Sequence, residues 1–88
     1  MKHLLYCIIG YSDRDYVRKK ECGHLYWFNP RMICTVESYA VENIAKIKMV
    51  NMDSFWCELG DWEAVIHKIH TNYCHPKDVR IQEVVVMK

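Results

Sequence analysis

The sequence predicts an α+β (mixed α/β) fold: a single small domain over residues 1–88, with about four strands in a sheet and two to three helices packed mainly on one face. Two observations carry this. The apolar period changes from helical to extended across Pro76, and helix punctuation alternates with short apolar runs along the rest of the chain. Between Gly60 and Lys88 the change is plainest. Asp61 suits a helix N-cap, and Glu63 adds a second negative charge at the positive end of the helix dipole. Trp62, Val65, Ile66, Ile69 and Tyr73 then lie on one helical face, so a helix is expected from Asp61 to Tyr73. Pro76 ends it, Lys77 and Asp78 make a polar corner, and Val79 to Met87 reads as a strand. Val84, Val85 and Val86 are consecutive and β-branched, which predicts a strand covered on both faces. Each buried valine would contribute ~1.5–3 kcal/mol.

Earlier in the chain, Leu4 to Ile9 is apolar at nearly every position and is expected as an internal strand beside the valine strand. Ser12 to Gly23 has helix signals: Ser12 as cap, Asp13 and Asp15 at the start, Arg18 to Lys20 at the end and Gly23 at the left-handed C′ position. Its apolar content is thin, so a long β-hairpin arm is the competing expectation. His24 to Phe28 is a short aromatic strand. Asn29-Pro30 looks like a helix start, because Asn caps and Pro fits the first helical position. From there Met32, Ile33, Val36, Tyr39, Ala40, Asn43, Ile44 and Ile47 keep a 3, 4, 7 spacing, which predicts a helix from Pro30 to Lys48. Its β-branched residues make it dependent on tertiary packing. Asn51 to Ser54 is a polar connection, and Phe55 to Leu59 alternates as a strand with one wetter face.

Composition narrows the classes of function. A chain of 88 residues buries only roughly 60–65% of its unfolded surface, but 51% apolar and 12% aromatic residues suffice for a globular core. A net charge of +1 is too small for a protein that coats DNA and far from an acidic nucleic-acid mimic. Nothing reads as a signal peptide or a membrane span, and the five scattered cysteines, Cys7, Cys22, Cys34, Cys57 and Cys74, are expected as reduced thiols in a cytoplasmic protein.

No catalytic or cofactor motif is present, and the three isolated glycines form no phosphate loop. Cys74, with His70 and His75 near it in sequence, is the one nucleophile to name, but no flanking motif supports it, so no enzyme activity is expected. A zinc site could draw on His67, His70, Cys74 and His75 together with Cys22 and His24. These spacings are poor for zinc, so the expectation is no metal and no cofactor, with a zinc-stabilised regulator as the second alternative.

Two binding roles remain. The aromatic strand His24 to Phe28 next to Arg18, Lys19 and Lys20 has the residue types of surfaces that stack single-stranded bases, which makes an RNA- or single-strand-binding module the first alternative. Exposed Trp and Tyr flanked by Arg are also the usual anchors of protein interfaces. The sequence therefore predicts a non-enzymatic protein-binding regulator or inhibitor, with Arg18, Lys19, Lys20, Tyr26, Trp27, Phe28 and Trp56 as partner-binding residues. A homodimer through an edge strand or an aromatic patch is a further partner. In size, motif poverty and aromatic content, though in no matched residue, the chain is similar to the small accessory proteins that phages make to redirect a host factor.

Overall fold

The computed structural model describes residues 5–72 and 81–86. Among them are six strands: β1 (Tyr6–Gly10), β2 (His24–Phe28), β3 (Ile33–Tyr39), β4 (Ile44–Met49), β5 (Ser54–Glu58) and β6 (Gln82–Val86). Two helices accompany them, α1 (Arg14–Lys19) and α2 (Leu59–Asn72). This is a small mixed α+β domain, but the strands divide into an antiparallel pair β1-β2 and a four-stranded sheet of order β5-β4-β3-β6. Pairing is antiparallel throughout except between β3 and β6. Tyr11 links the two sheets. Its N–H donates to the Trp56 carbonyl and the Trp56 N–H donates back to its carbonyl, both at 2.7 Å.

The main core lies between the inner face of the four-stranded sheet, the helix α2 and the inner face of β1-β2. Val36, Ala45, Ile47, Phe55 and Cys57 come from the sheet, Trp62, Val65 and Ile69 from α2, and Tyr6, Ile8 and Phe28 from the pair. All are buried, and Ile66 packs against them half-buried, as the helical spacing requires. Gly10 sits beneath the stacked rings of Tyr26 and Phe55, 4.6 Å apart, where a Cβ would come within 2.5 Å of the Tyr26 ring. A smaller cluster of Tyr11, Val17 and Ile44 lies on the outer face of the sheet, beneath α1. The two helices therefore pack on opposite faces, not mainly on one.

The expected helix from Pro30 to Lys48 is replaced by β3, a turn and β4. Its first turn is right: Pro30–Met32 is a single 3₁₀ turn, with the Asn29 side chain accepting from the Arg31 N–H at 2.9 Å. Extended backbone follows at once, because Ile33, Thr35, Val36, Ile44 and Ile47 are β-branched and can pair across a sheet. The helical spacing has two strand causes. A register shift between Ile33 and Thr35 inserts one extra residue, so Ile33 and Val36, three apart, both face the core. Ile44 and Ile47, also three apart, are buried on opposite faces of β4.

Three further expectations are corrected. Among the described residues the valine strand is an edge strand beside β3, not a sheet centre beside β1, and Val84 and Val85 are exposed. The helix α1 is short, with Asp13 rather than Ser12 as its cap, and Lys20 (φ 56°) takes the left-handed position assigned to Gly23. Gly23 instead lets the Tyr11 ring approach, since a Cβ would lie 2.9 Å from it. The helix α2 begins at Leu59 directly after β5, so Gly60 is helical and Asp61 lies inside the first turn. Its opening Leu59 N–H donates to the Asn43 carbonyl at 3.0 Å, so one N-terminal donor is met by the β3–β4 turn. Tyr73, Pro76, Lys77, Asp78 and the Val79 end of the valine strand lie outside the described residues.

Candidate partner-binding surface

β1 and β2 are apolar at both parities, and this creates the surface. Tyr6 and Ile8 on β1, with Tyr26 and Phe28 on β2, turn inward. The alternate positions must then turn outward. Cys7 pairs with Trp27 and Ile9 with Leu25 across the ladder, which sets them side by side on the outer face. Leu5 is 59% exposed, Ile9 47%, Leu25 63% and Trp27 66%. The ten residues of the two strands include no Lys, Arg, Asp or Glu. An apolar face of this kind is unusual on a monomer, where charged and polar side chains ordinarily intervene.

The residues expected to bind a partner are not gathered in one place. Trp27 is on this face. Tyr26 is half-buried on Phe55 with its ring turned inward, and Phe28 is buried in the main core. Trp56 lies on the outer face of the four-stranded sheet, half-buried, stacked on Tyr39 at 5.5 Å with the Lys46 ammonium 5.3 Å from its ring centre. Arg14 sits over Tyr39 and pairs with Glu42. Both aromatic faces of this ladder are thus already occupied by cations. Arg18 and Lys20 line a polar recess with Glu42, Asn43 and Glu58, and the Lys20 ammonium is 3.6 Å from the Glu58 carboxylate. Lys19 is exposed. Arg18 and Lys20 are thus engaged beside Glu42 and Glu58, and nothing brings them into contact with the Trp27 ring that base stacking along β2 would use.

Leu5, Ile9 and Leu25 were not singled out in the sequence. The signal for them was present: two apolar runs in which both parities are apolar cannot all face one core. Other chemistry finds less support. Among the described residues no group of three His, Cys, Asp or Glu side chains could hold a metal ion; His67 and His70 are exposed on α2, and Cys74 and His75 lie outside the described residues. Cys7, Cys22, Cys34 and Cys57 are free thiols. Burial pushes the Cys57 thiol up to about 12, helped by the nearby Asp61 and Glu58 carboxylates, so it is a core residue and not a nucleophile. Asp61 is itself held above the usual carboxylate range by burial and by Glu58, against the opposing pull of Lys20. No described helix is long and apolar enough to cross a membrane.

Comparison with known proteins returns no match: no family model fits the chain, and no curated protein and no solved structure is significantly similar to it.

Proposed function

We propose that this is a non-enzymatic binding protein whose partner is another protein, docked on the outer face of β1-β2. One observation carries it: Ile9, Leu25 and Trp27 form an exposed apolar face on two strands without a formal charge, and Leu5, exposed just before β1, adds to the apolar surface at its end. Interface centres are depleted in charge and enriched in Trp, and such a centre contributes through desolvation. Trp27 is the anchor, and the flanking aliphatic side chains exclude water around it. An RNA partner is the competing assignment. It is weakened by the pairing of Lys20 with Glu58 and by the recess in which Arg18 and Lys20 lie beside the Glu42 and Glu58 carboxylates.

The test is capture from nuclease-treated lysate on the immobilised chain, its Trp27→Ala variant and its Leu25→Asp variant. The expected result is a protein retained by the parent chain and lost by both variants, with little effect of moderate salt. Loss of Trp27 as an anchor should weaken binding by more than ~2 kcal/mol, while an exposed site shifts stability by only about 0.5 kcal/mol. Equal melting of all three chains excludes unfolding as the cause. Retention that needs nucleic acid, falls steeply with salt and weakens in Lys19→Ala would replace this proposal with the RNA assignment.

A further inference from the structure

The sheet order β5-β4-β3-β6 leaves the outer edge of β6 without a neighbouring strand among the described residues. Edge strands are ordinarily protected by Lys, Pro, a bulge or a covering element. Gln82–Val86 contains no Lys, Arg or Pro, its pairing with β3 runs without a register shift, and Glu83 is its one charge. The run Val84 to Val86 is the most β-branched in the chain, yet Val84 is 38% exposed and Val85 64%. They project on opposite sides, Val84 beside Glu37 on the outer face and Val85 beside Ser38 on the inner face. A strand added at this edge would cover both.

We propose that the occupant is a second copy of this chain, with β6 pairing antiparallel to its counterpart about a twofold axis at Val84. Strand addition supplies main-chain hydrogen bonds, and a twofold dimer uses the same patch on both partners. The register follows from geometry. A twofold perpendicular to the sheet keeps each side chain on its own face, so each residue must meet one of its own parity. Centring on Glu83 would oppose two like charges. Centring on Val84 sets Val84 against Val84, Glu83 against Val85 and Gln82 against Val86, and uses all five residues of the strand. The product is one continuous eight-stranded sheet, β5-β4-β3-β6 and its copy. The β1-β2 face of each chain stays open, so the dimer would present two copies of the proposed partner surface. A five-residue ladder is short beside the ~800 Å² per partner of a standard interface, so association is weak and dependent on concentration.

Sedimentation equilibrium of the full chain, from low to high micromolar, tests this with two substitutions of opposite expected effect. Val84→Lys places two ammonium groups opposite each other and should weaken the dimer several-fold. Val85→Lys places each lysine opposite Glu83 of the other copy and should leave association unchanged or strengthen it. Both sites are partly or largely exposed, and melting at low concentration shows that each variant folds. Should Val84→Lys unfold, cross-linking decides instead. In a Cys22→Ser, Cys34→Ser background, Val84→Cys should oxidise to a covalent dimer, because opposed antiparallel residues lie ~4.5–5.5 Å apart at Cα, within disulfide reach. Val85→Cys should not cross-link. A chain that stays monomeric at every concentration, or a dimer that tolerates Val84→Lys and is lost in Leu25→Asp, overturns the β6 assignment. The first outcome leaves the proposed function of the β1-β2 face standing; the second gives that face to a second copy.

Discussion

Cys57 shows how burial decides the chemistry of a residue. Four cysteines among the described residues have the same side chain, yet Cys22 and Cys34 are exposed and Cys57 is buried in the main core. A thiolate there would lose its hydration and face the carboxylates of Asp61 and Glu58, so the proton is held until about pH 12 against an ordinary value of 9.0. The folded chain therefore binds a proton that the unfolded chain releases above pH 9.0. The resulting stabilisation is fully present below that pH and is lost as pH rises towards 12. Melting curves of the parent chain should fall more steeply across this window than those of Cys57→Ala; parallel curves would mean that the thiol is not held in this way. Alkylation should modify Cys22 and Cys34 in the native protein and reach Cys57 only after unfolding. At this scale the sequence was partly legible. Trp27 could be picked out by type, but nothing in the local pattern separates it from Tyr26 and Phe28 until the inward parity of β2 is known.

Among the elements, α2 was the most legible, because Trp62, Val65, Ile66 and Ile69 repeat at helical spacing and all meet the core. Its start was misplaced by Gly60, a residue that usually marks a break. In the folded chain β5 runs directly into the helix, and a Cβ at Gly60 would meet nothing within 4 Å. Gly60→Ala should therefore stabilise the domain by about 0.5–1 kcal/mol, by removing backbone freedom from the unfolded chain. For a domain of this size that is a rise of several degrees in Tm, measurable by calorimetry; a fall in Tm would show that the position needs a glycine after all. β3 and β4 were illegible for a physical reason. A bulge and burial on two faces both produce spacings of three, and period counting alone reads these as one helical stripe. The β-branched content was the better guide.

For the whole molecule, the main core joins the inner face of one sheet, the β1-β2 pair and α2, while α1 rests on the outer face through Val17. Ile47 is fully buried within this core. Its replacement by alanine should cost ~2–5 kcal/mol through lost contact and a residual cavity. At the usual 0.05–0.15 kcal/mol per residue the chain has roughly 4–13 kcal/mol in total, so Ile47→Ala should remove a large share of its stability. Urea denaturation should show a lowered midpoint with an unchanged slope; a loss below ~1 kcal/mol would place Ile47 outside the cooperative core. The sequence by itself determined the α+β class, the helix α2, the extended form of β1, β2, β5 and β6, the lack of recognisable catalytic motifs and the residue types available for an interface. Those are properties of local pattern and composition. Only the tertiary structure decided that the valine strand is an edge among the described residues, that the helices take opposite faces, and that Leu5, Ile9, Leu25 and Trp27 are exposed while Phe28 is not. Each of these depends on which residues far apart in sequence come to lie against one another. Apolar character states that a side chain gains by leaving water, but not what will cover it.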